Sequence, residues 1–214
     1  MDCANCKKLA CLVGARKKPP GCPMVEHPEL YEKAKELYED PENIKIARCA
    51  GIVEATGYIE WPRVKDTVEF AKLMEYRKLG LVFCIGLREE ARKVQEILER
   101  YGFEVISSLC KTGSFTKSEV GNVPEEFQMT SKTGYIIGFV SCNPISQALL
   151  MNEATTDFNI IVGLCVGHDS LFIKYSKAPV TVLIVKDRRF PHNPAAALYT
   201  YYSDKFFDRD LQQK

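Results

Sequence analysis

Four thiols crowd the first 22 residues of the chain, at Cys3, Cys6, Cys11 and Cys22. Two cysteines separated by two residues can turn back onto one ion, because the intervening backbone forms a tight knuckle. The third and fourth then close a four-sulfur shell from the segments that follow. Lys7, Lys8, Arg16, Lys17 and Lys18 lie among them, and positive charge favours thiolate, the form that binds metal. Gly14, Pro19, Pro20, Gly21 and Pro23 deny this stretch regular structure of its own, so a metal is expected to order it. Zinc and an iron–sulfur cluster both accept four thiolates, and spacings of two, four and ten intervening residues do not choose between them. Disulfides are the competing use of such thiols. No basic stretch followed by an apolar one opens the sequence, so a reducing, cytoplasmic setting is expected, and there metal is the better explanation.

Three further cysteines close apolar runs that read as strands: Cys110 after Ser107-Ser108-Leu109, Cys142 after Phe139-Val140-Ser141, and Cys165 after Val162-Gly163-Leu164. In parallel sheets, ligands bind in the crevice beyond the carboxyl ends of the strands. Cys142 and Cys165 also precede expected helix starts, whose positive ends favour thiolate. The trio is therefore a candidate cofactor-binding group, a second thiolate or iron–sulfur site. Free cysteines are otherwise small buried hydrophobes, and that reading is assigned to Cys84 and Cys49. His168 and Asp169 follow Cys165 on a glycine-flanked loop and are the candidate catalytic pair, histidine shuttling a proton and aspartate orienting it. As a simple turn they would be a decorating histidine and a helix cap. Lys186-Asp187-Arg188-Arg189 ends another apolar run, where it could bind an anion or form a solvated edge.

These residues need a scaffold, and the pattern supplies one. Helical stripes are expected over Pro28–Tyr38, Asn43–Ala55 and from Trp61-Pro62 to about Leu73. From Gly80 onward short apolar runs alternate with amphipathic stretches. Strands are expected at 81–85, 103–109, 135–141, 160–164 and 180–185, with helices at 88–101, 144–155, 169–175 and 194–202. That alternation predicts an α/β fold, a three-layer Rossmann-like or flavodoxin-like parallel sheet of about five strands. The expected division is a cysteine knuckle over 1–27, N-terminal helices packed on the main domain over 28–79, and the α/β domain over 80–214. The connection 111–133 is long where links are commonly ~2–6 residues, and reads as a lid over the cysteine crevice.

Composition narrows the partners. The 214 residues carry 29 basic and 28 acidic side chains, a balance that disfavours a general nucleic-acid surface. No apolar run approaches the ~18 residues of a membrane span. A small molecule or redox partner is the expected company, with no membrane role.

Cys84-Ile85-Gly86-Leu87-Arg88-Glu89-Glu90-Ala91, Cys142-Asn143-Pro144-Ile145-Ser146-Gln147-Ala148, Gly163 to Phe172 (GLCVGHDSLF) and His192 to Tyr199 (HNPAAALY) are distinctive together. They resemble an uncharacterised prokaryotic family of metal-binding proteins built on a domain of unknown function. The resemblance runs over nearly the whole chain, with Phe190-Pro191 standing where that family would have a glycine. It implies metal binding and no settled activity. Two functions are thus expected to compete. One is a metalloprotein with redox or iron–sulfur character and centres at both cysteine groups. The other is a zinc-ordered binding or regulatory module without catalysis.

Overall fold

The computed structural model describes residues 2–199. The chain divides into two compact units between Thr56 and Gly57. The first holds the cysteine-rich start and three helices, α1 (Pro23–Glu26), α2 (Pro28–Leu37) and α3 (Pro41–Gly57), whose last residue reaches the boundary. Pro23 and Pro28 occupy first-turn positions of α1 and α2, where the missing N–H would have no helical partner anyway. Cys49 is buried on α3.

The second unit runs α4 (Arg63–Leu73), β1 (Lys78–Phe83), α5 (Arg88–Arg100), β2 (Glu104–Leu109), α6 (Lys117–Gly121), α7 (Pro144–Glu153), β3 (Phe158–Val162), α8 (His168–Tyr175), β4 (Val180–Ile184) and α9 (Ala196–Tyr199). Its four strands are all parallel in the order β2-β1-β3-β4. The central strands read KLGLVF and FNIIV, nearly continuous apolar runs as strands covered on both faces require. β2 and β4 form the edges and are correspondingly less buried.

Sheet order decides where the helices go. Parallel crossovers are right-handed, and β2 and β3 lie on opposite sides of β1, so α5 and α7 cover opposite faces. Step direction is kept from β3 to β4, so α8 joins α7, and Asn152 Nδ2 donates to the Tyr175 carbonyl at 2.9 Å between them. α4 lies beside α5: the ammonium groups of Lys65 and Lys72 sit 5.0 and 4.3 Å from the Tyr101 ring centre. The core between these layers includes Leu79, Leu81, Ile160, Val162, Met151 and Phe172, all fully buried.

Gly80 belongs to this core. A Cβ there would stand 1.9 Å from Asn159 Oδ1 and 2.7 Å from Met151 Sδ. The vacated space admits the fully buried Asn159, whose Oδ1 accepts from Thr156 Oγ1 and whose Nδ2 donates to Ser176 Oγ, both at 2.8 Å. A buried amide satisfied at both ends ties β3 to the end of α8.

The expected strand at 135–141 is not in the sheet, which has four strands rather than five. Tyr135 and Ile136 are 74 % and 83 % exposed, and Gly134 and Gly138 take positive φ, which interrupts an extended run. The segment instead folds back on the long connection before it. Thr116 pairs with Val140 and Thr130 with Ile136 through isolated antiparallel bridges. Lys117 N donates to Phe139 O and Ser141 N to Phe115 O. Residues 111–142 are therefore one self-bonded excursion with its base at 111–116 and 139–142. The expected closing helix is described as far as α9, its remainder lying outside the described residues.

Candidate metal centre

The carboxyl edge of the sheet collects four thiols, one more than the spacing argument counted. β1 ends at Phe83, two residues earlier than its apolar run suggested, so Cys84 stands at the strand end beside Cys110, which follows β2. The ladder fixes both main chains: Cys84 N donates to Val162 O at 3.3 Å and Cys110 N to Phe83 O at 2.9 Å. Asn143 N then donates to Cys110 O at 2.7 Å, which brings Cys142 alongside. Gln147 on α7, fully buried, donates from Nε2 to the Ser108 carbonyl at 2.7 Å and locks the helix onto the end of β2.

Cys165 arrives by a different device. Gly163, immediately after β3, has φ +69°, and a Cβ there would lie 2.6 Å from Leu87 Cδ2. A left-handed glycine packed against Leu87 turns the chain over the end of β1. The Cys165 carbonyl accepts from the backbone N–H of His168 and Asp169, which starts α8.

The side chains then meet. Cys110 Sγ and Cys142 Sγ lie 3.7 Å apart. Cys142, Cys165 and His168 offer three ligand atoms within 4.8 Å of one another, the only such metal-holding group among the described residues. Cys84 acts on both Cys110 and Cys165, which makes the four thiols a loose ring, Cys84–Cys110–Cys142–Cys165, in which no three sulfurs lie within 4.8 Å of one another. None is in a disulfide. The ring lies at the junction of β1 and β3, where the chain reverses its direction of travel across the sheet and α/β folds hold ligands.

Charge is arranged around the ring. Lys186 Nζ donates to Cys84 Sγ, and Arg188 Nη2 donates to Cys165 Sγ at 3.1 Å. These cations come from the segment after β4, so the basic run expected at a solvated edge is turned onto the thiols. Lys111 Nζ donates to the Val140 carbonyl at 2.5 Å, across the base of the excursion, and acts on Cys142 through its charge. Hydrogen bonds from Cys110 and Cys165, with His168 and Lys111, hold the Cys142 thiol far below the usual range. Cys110 is pushed up by Cys142, Cys84 and burial. In Cys165 the raising influence of Cys142 is outweighed by Cys84, His168 and Lys186, leaving it below its ordinary value. Cys142 and Cys165 raise His168 to about 9. Negative charge thus gathers on the side where Cys142, Cys165 and His168 meet.

His168 Nδ1 is buried without a hydrogen-bond partner, the kind of orphan that a water or an ion usually explains. Asp169 is used locally. Its Oδ1 accepts from Gly167 N at 3.0 Å and Ser170 N at 2.8 Å, closing the turn that opens α8.

The first four cysteines occupy a separate place. Cys6 N donates to Cys3 O at 3.2 Å, the tight turn that a two-residue spacing favours. Cys22 precedes α1 and accepts at its carbonyl from Val25 N and Glu26 N. All four sulfur-bearing residues line one pocket of about 620 Å³ with Ala10 and Tyr31. No three of them bring their sulfurs within 4.8 Å of one another.

What the arrangement can do follows from its donors. Thiolate and imidazole ligands suit soft and borderline ions, and the orphaned Nδ1 and unbridged sulfurs fit one. Among the described residues, no helix is long and apolar enough to cross a membrane. An uncharacterized protein of Methanocaldococcus jannaschii is 43 % identical over 209 residues, covering 97 % of this chain and 99 % of its own length. A family described as a protein of unknown function, DUF1847, matches residues 22–183, a stretch that contains Cys22, Cys84, Cys110, Cys142, Cys165 and His168. The chain belongs to the DUF1847 family.

Proposed function

We propose that this is a metalloprotein whose working centre is a single soft-metal ion held at the carboxyl edge of the sheet by Cys142, Cys165 and His168, with Cys110 and Cys84 as the neighbouring thiols. One observation carries the reading. Donors ~2.0–2.3 Å from a tetrahedral ion stand ~3.3–3.8 Å apart, and the ligand atoms of Cys142, Cys165 and His168 lie within 4.8 Å of one another. Sulfurs on a cubane cluster stand ~6–7 Å apart, so this edge favours one ion over a cluster.

A structural zinc orders a segment that cannot order itself. Here the ligands follow the strands of a parallel sheet with a buried apolar core of its own, which needs no metal to form. That argues for an ion kept for chemistry rather than for folding. A divalent ion with two thiolates and a neutral imidazole carries no net charge, while Lys186 and Arg188 donate to the neighbouring thiols Cys84 and Cys165. Three donors for four positions would leave one coordination position open, with Cys110 the thiol beside Cys142. Bound there, zinc would act as a Lewis acid and iron would carry one electron. The chain's own residues supply the rest: Asp169 fixes the α8 turn that presents His168, and the pinned base of the 111–142 excursion borders Cys110 and Cys142. A small molecule or redox partner in a reducing, cytoplasmic compartment is the company we assign to such a centre.

Metal analysis of the full chain tests this. Cys142→Ser with Cys165→Ser should remove about one metal equivalent and leave the far-ultraviolet circular dichroism unchanged. Cys84→Ser alone should weaken retention against a chromophoric chelator. Unaltered metal content in the double variant would refute the centre.

A further inference from the structure

The two cysteine groups differ in scale, and the difference points to different occupants. We propose that the pocket formed by Cys3, Cys6, Cys11 and Cys22 is a binding site for a four-iron iron–sulfur cluster rather than for a single ion.

Three observations converge on it. The four cysteines line one pocket, so they border a common space. No three of those sulfurs come within 4.8 Å of one another, whereas a single tetrahedral ion requires every pair at ~3.8 Å. A cubane, with terminal sulfurs ~6–7 Å apart, asks for the wider spacing. The pocket measures about 620 Å³, which is room enough for a cluster, and the local backbone around it is held at several points. The turn at Cys3–Cys6 is already hydrogen-bonded, Ala15 N is held by Ala10 O at 2.9 Å, and Cys22 is fixed to the start of α1. Lys18 Nζ, bonded to the Ala15 carbonyl at 2.5 Å, tightens the same loop.

The chemistry of the rim agrees. Lys7 and Lys8 border the pocket, and cationic neighbours favour the thiolates and offset the negative charge that four of them bring to a cluster. Loading a preassembled cluster exchanges its four outer ligands for the four cysteine thiolates, the cysteine protons passing to the displaced ligands or to solvent, and leaves the oxidation state of the iron unchanged. Cys3 and Cys11 are exposed, and Cys6 and Cys22 half-buried, so the cluster would be reachable by solvent and sensitive to air. The two sites share no residue, and each can fail alone.

The test uses the full chain purified without oxygen, supplied if necessary with ferric iron and sulfide in the presence of a thiol reductant. Iron, acid-labile sulfide and zinc are measured together with visible absorbance, in wild type, in Cys3→Ser with Cys6→Ser, and in Cys142→Ser with Cys165→Ser. The expected result is about four iron and four sulfide per chain in wild type, lost with the colour in the N-terminal variant and kept in the strand-edge variant. Iron X-ray absorption of wild type guards against misfolding of the variants, and an iron–iron scattering path is expected. The proposal is overturned if wild type takes up no sulfide, or if its iron shows a sulfur shell alone. Sulfide that follows Cys142 and Cys165 instead of Cys3 and Cys6 would also overturn it.

Discussion

Asn143 is the residue through which helix capping and the thiol ring are coupled, and its removal should be felt in both. Its Oδ1 accepts from Ser146 N at 3.1 Å, capping α7, and its Nδ2 donates to the Thr112 carbonyl at 3.2 Å and to Ser146 Oγ at 2.6 Å. The residue is 8 % exposed, so these groups have little access to water. Asn143→Ala removes an N-cap, which costs about 1 kcal/mol, and leaves the Thr112 carbonyl without its donor, about 1 kcal/mol more. In a chain of this length roughly 2–4 °C accompanies each kcal/mol, so the thermal midpoint should fall by roughly 4–8 °C. Cys142 is the preceding residue, and its position depends on the same contacts. Loss of such an outer partner typically weakens metal retention by ~10–100-fold. Asn143→Asp keeps the capping oxygen but not the donation to Thr112, and should recover part of the midpoint while retaining most of the metal defect. Calorimetry and chelator competition on the three proteins decide it. A midpoint and a metal affinity both unchanged in Asn143→Ala would refute the coupling.

Two other expectations follow from the fold. Gly80→Ala places a methyl within 1.9 Å of Asn159 Oδ1, so overpacking of about 1–3 kcal/mol and a displaced buried hydrogen bond should together lower stability by about 2–5 kcal/mol, measured by urea unfolding. A variant as stable as wild type would mean the Asn159 site is not tightly packed. At α6, Thr116 N and Thr116 Oγ1 both donate to Glu119 Oε2 and hold its carboxyl below the usual glutamate value. A depressed folded-state value contributes order that is complete above the unfolded pKa and lost as pH falls through the folded one. The protection factors of amides 116–121, with intrinsic exchange at each pH divided out, should therefore be full at neutral pH, rise no further above it, and fall on acidification below the ordinary glutamate range. Protection unchanged by acid would count against the capping box.

The sequence was most legible where burial is two-sided. The apolar runs of β1 and β3 and the helical stripes of α5 and α7 announce a covered parallel sheet, and the structure has one. It was least legible at the ends of those runs. Cys84 continues the apolar stretch Leu81-Val82-Phe83 without any change of polarity, so composition alone gives no mark of where pairing stops. A hydrophobic cysteine and a ligand look alike there. The helix beginning at Arg88 was the available signal, since a strand feeding it must end a few residues earlier. Gly80, read as punctuation, is a vacancy for Asn159 that only the neighbouring strand reveals. Residues 135–141 carry strand-like apolar content but are broken by Gly134 and Gly138, whose positive φ values turn the segment onto its own loop. Lys186 and Arg188 illustrate the remaining limit. Their meeting with Cys84 and Cys165 is a product of strand order, which local pattern does not encode.

Strand order also sets a timetable. The ring draws its sulfurs from residue 84 to residue 165, and its members become neighbours only when β3 has inserted beside β1, a pairing of high sequence separation that closes late in folding. The first four cysteines, by contrast, lie within a single short loop and can find one another while most of the chain is still unstructured. During synthesis the N-terminal thiols emerge first and stay available to any passing metal, whereas the sheet-edge site does not exist until the domain is complete. For the two proposed centres, the distance along the chain between ligands would thus set the order of filling, the N-terminal one first.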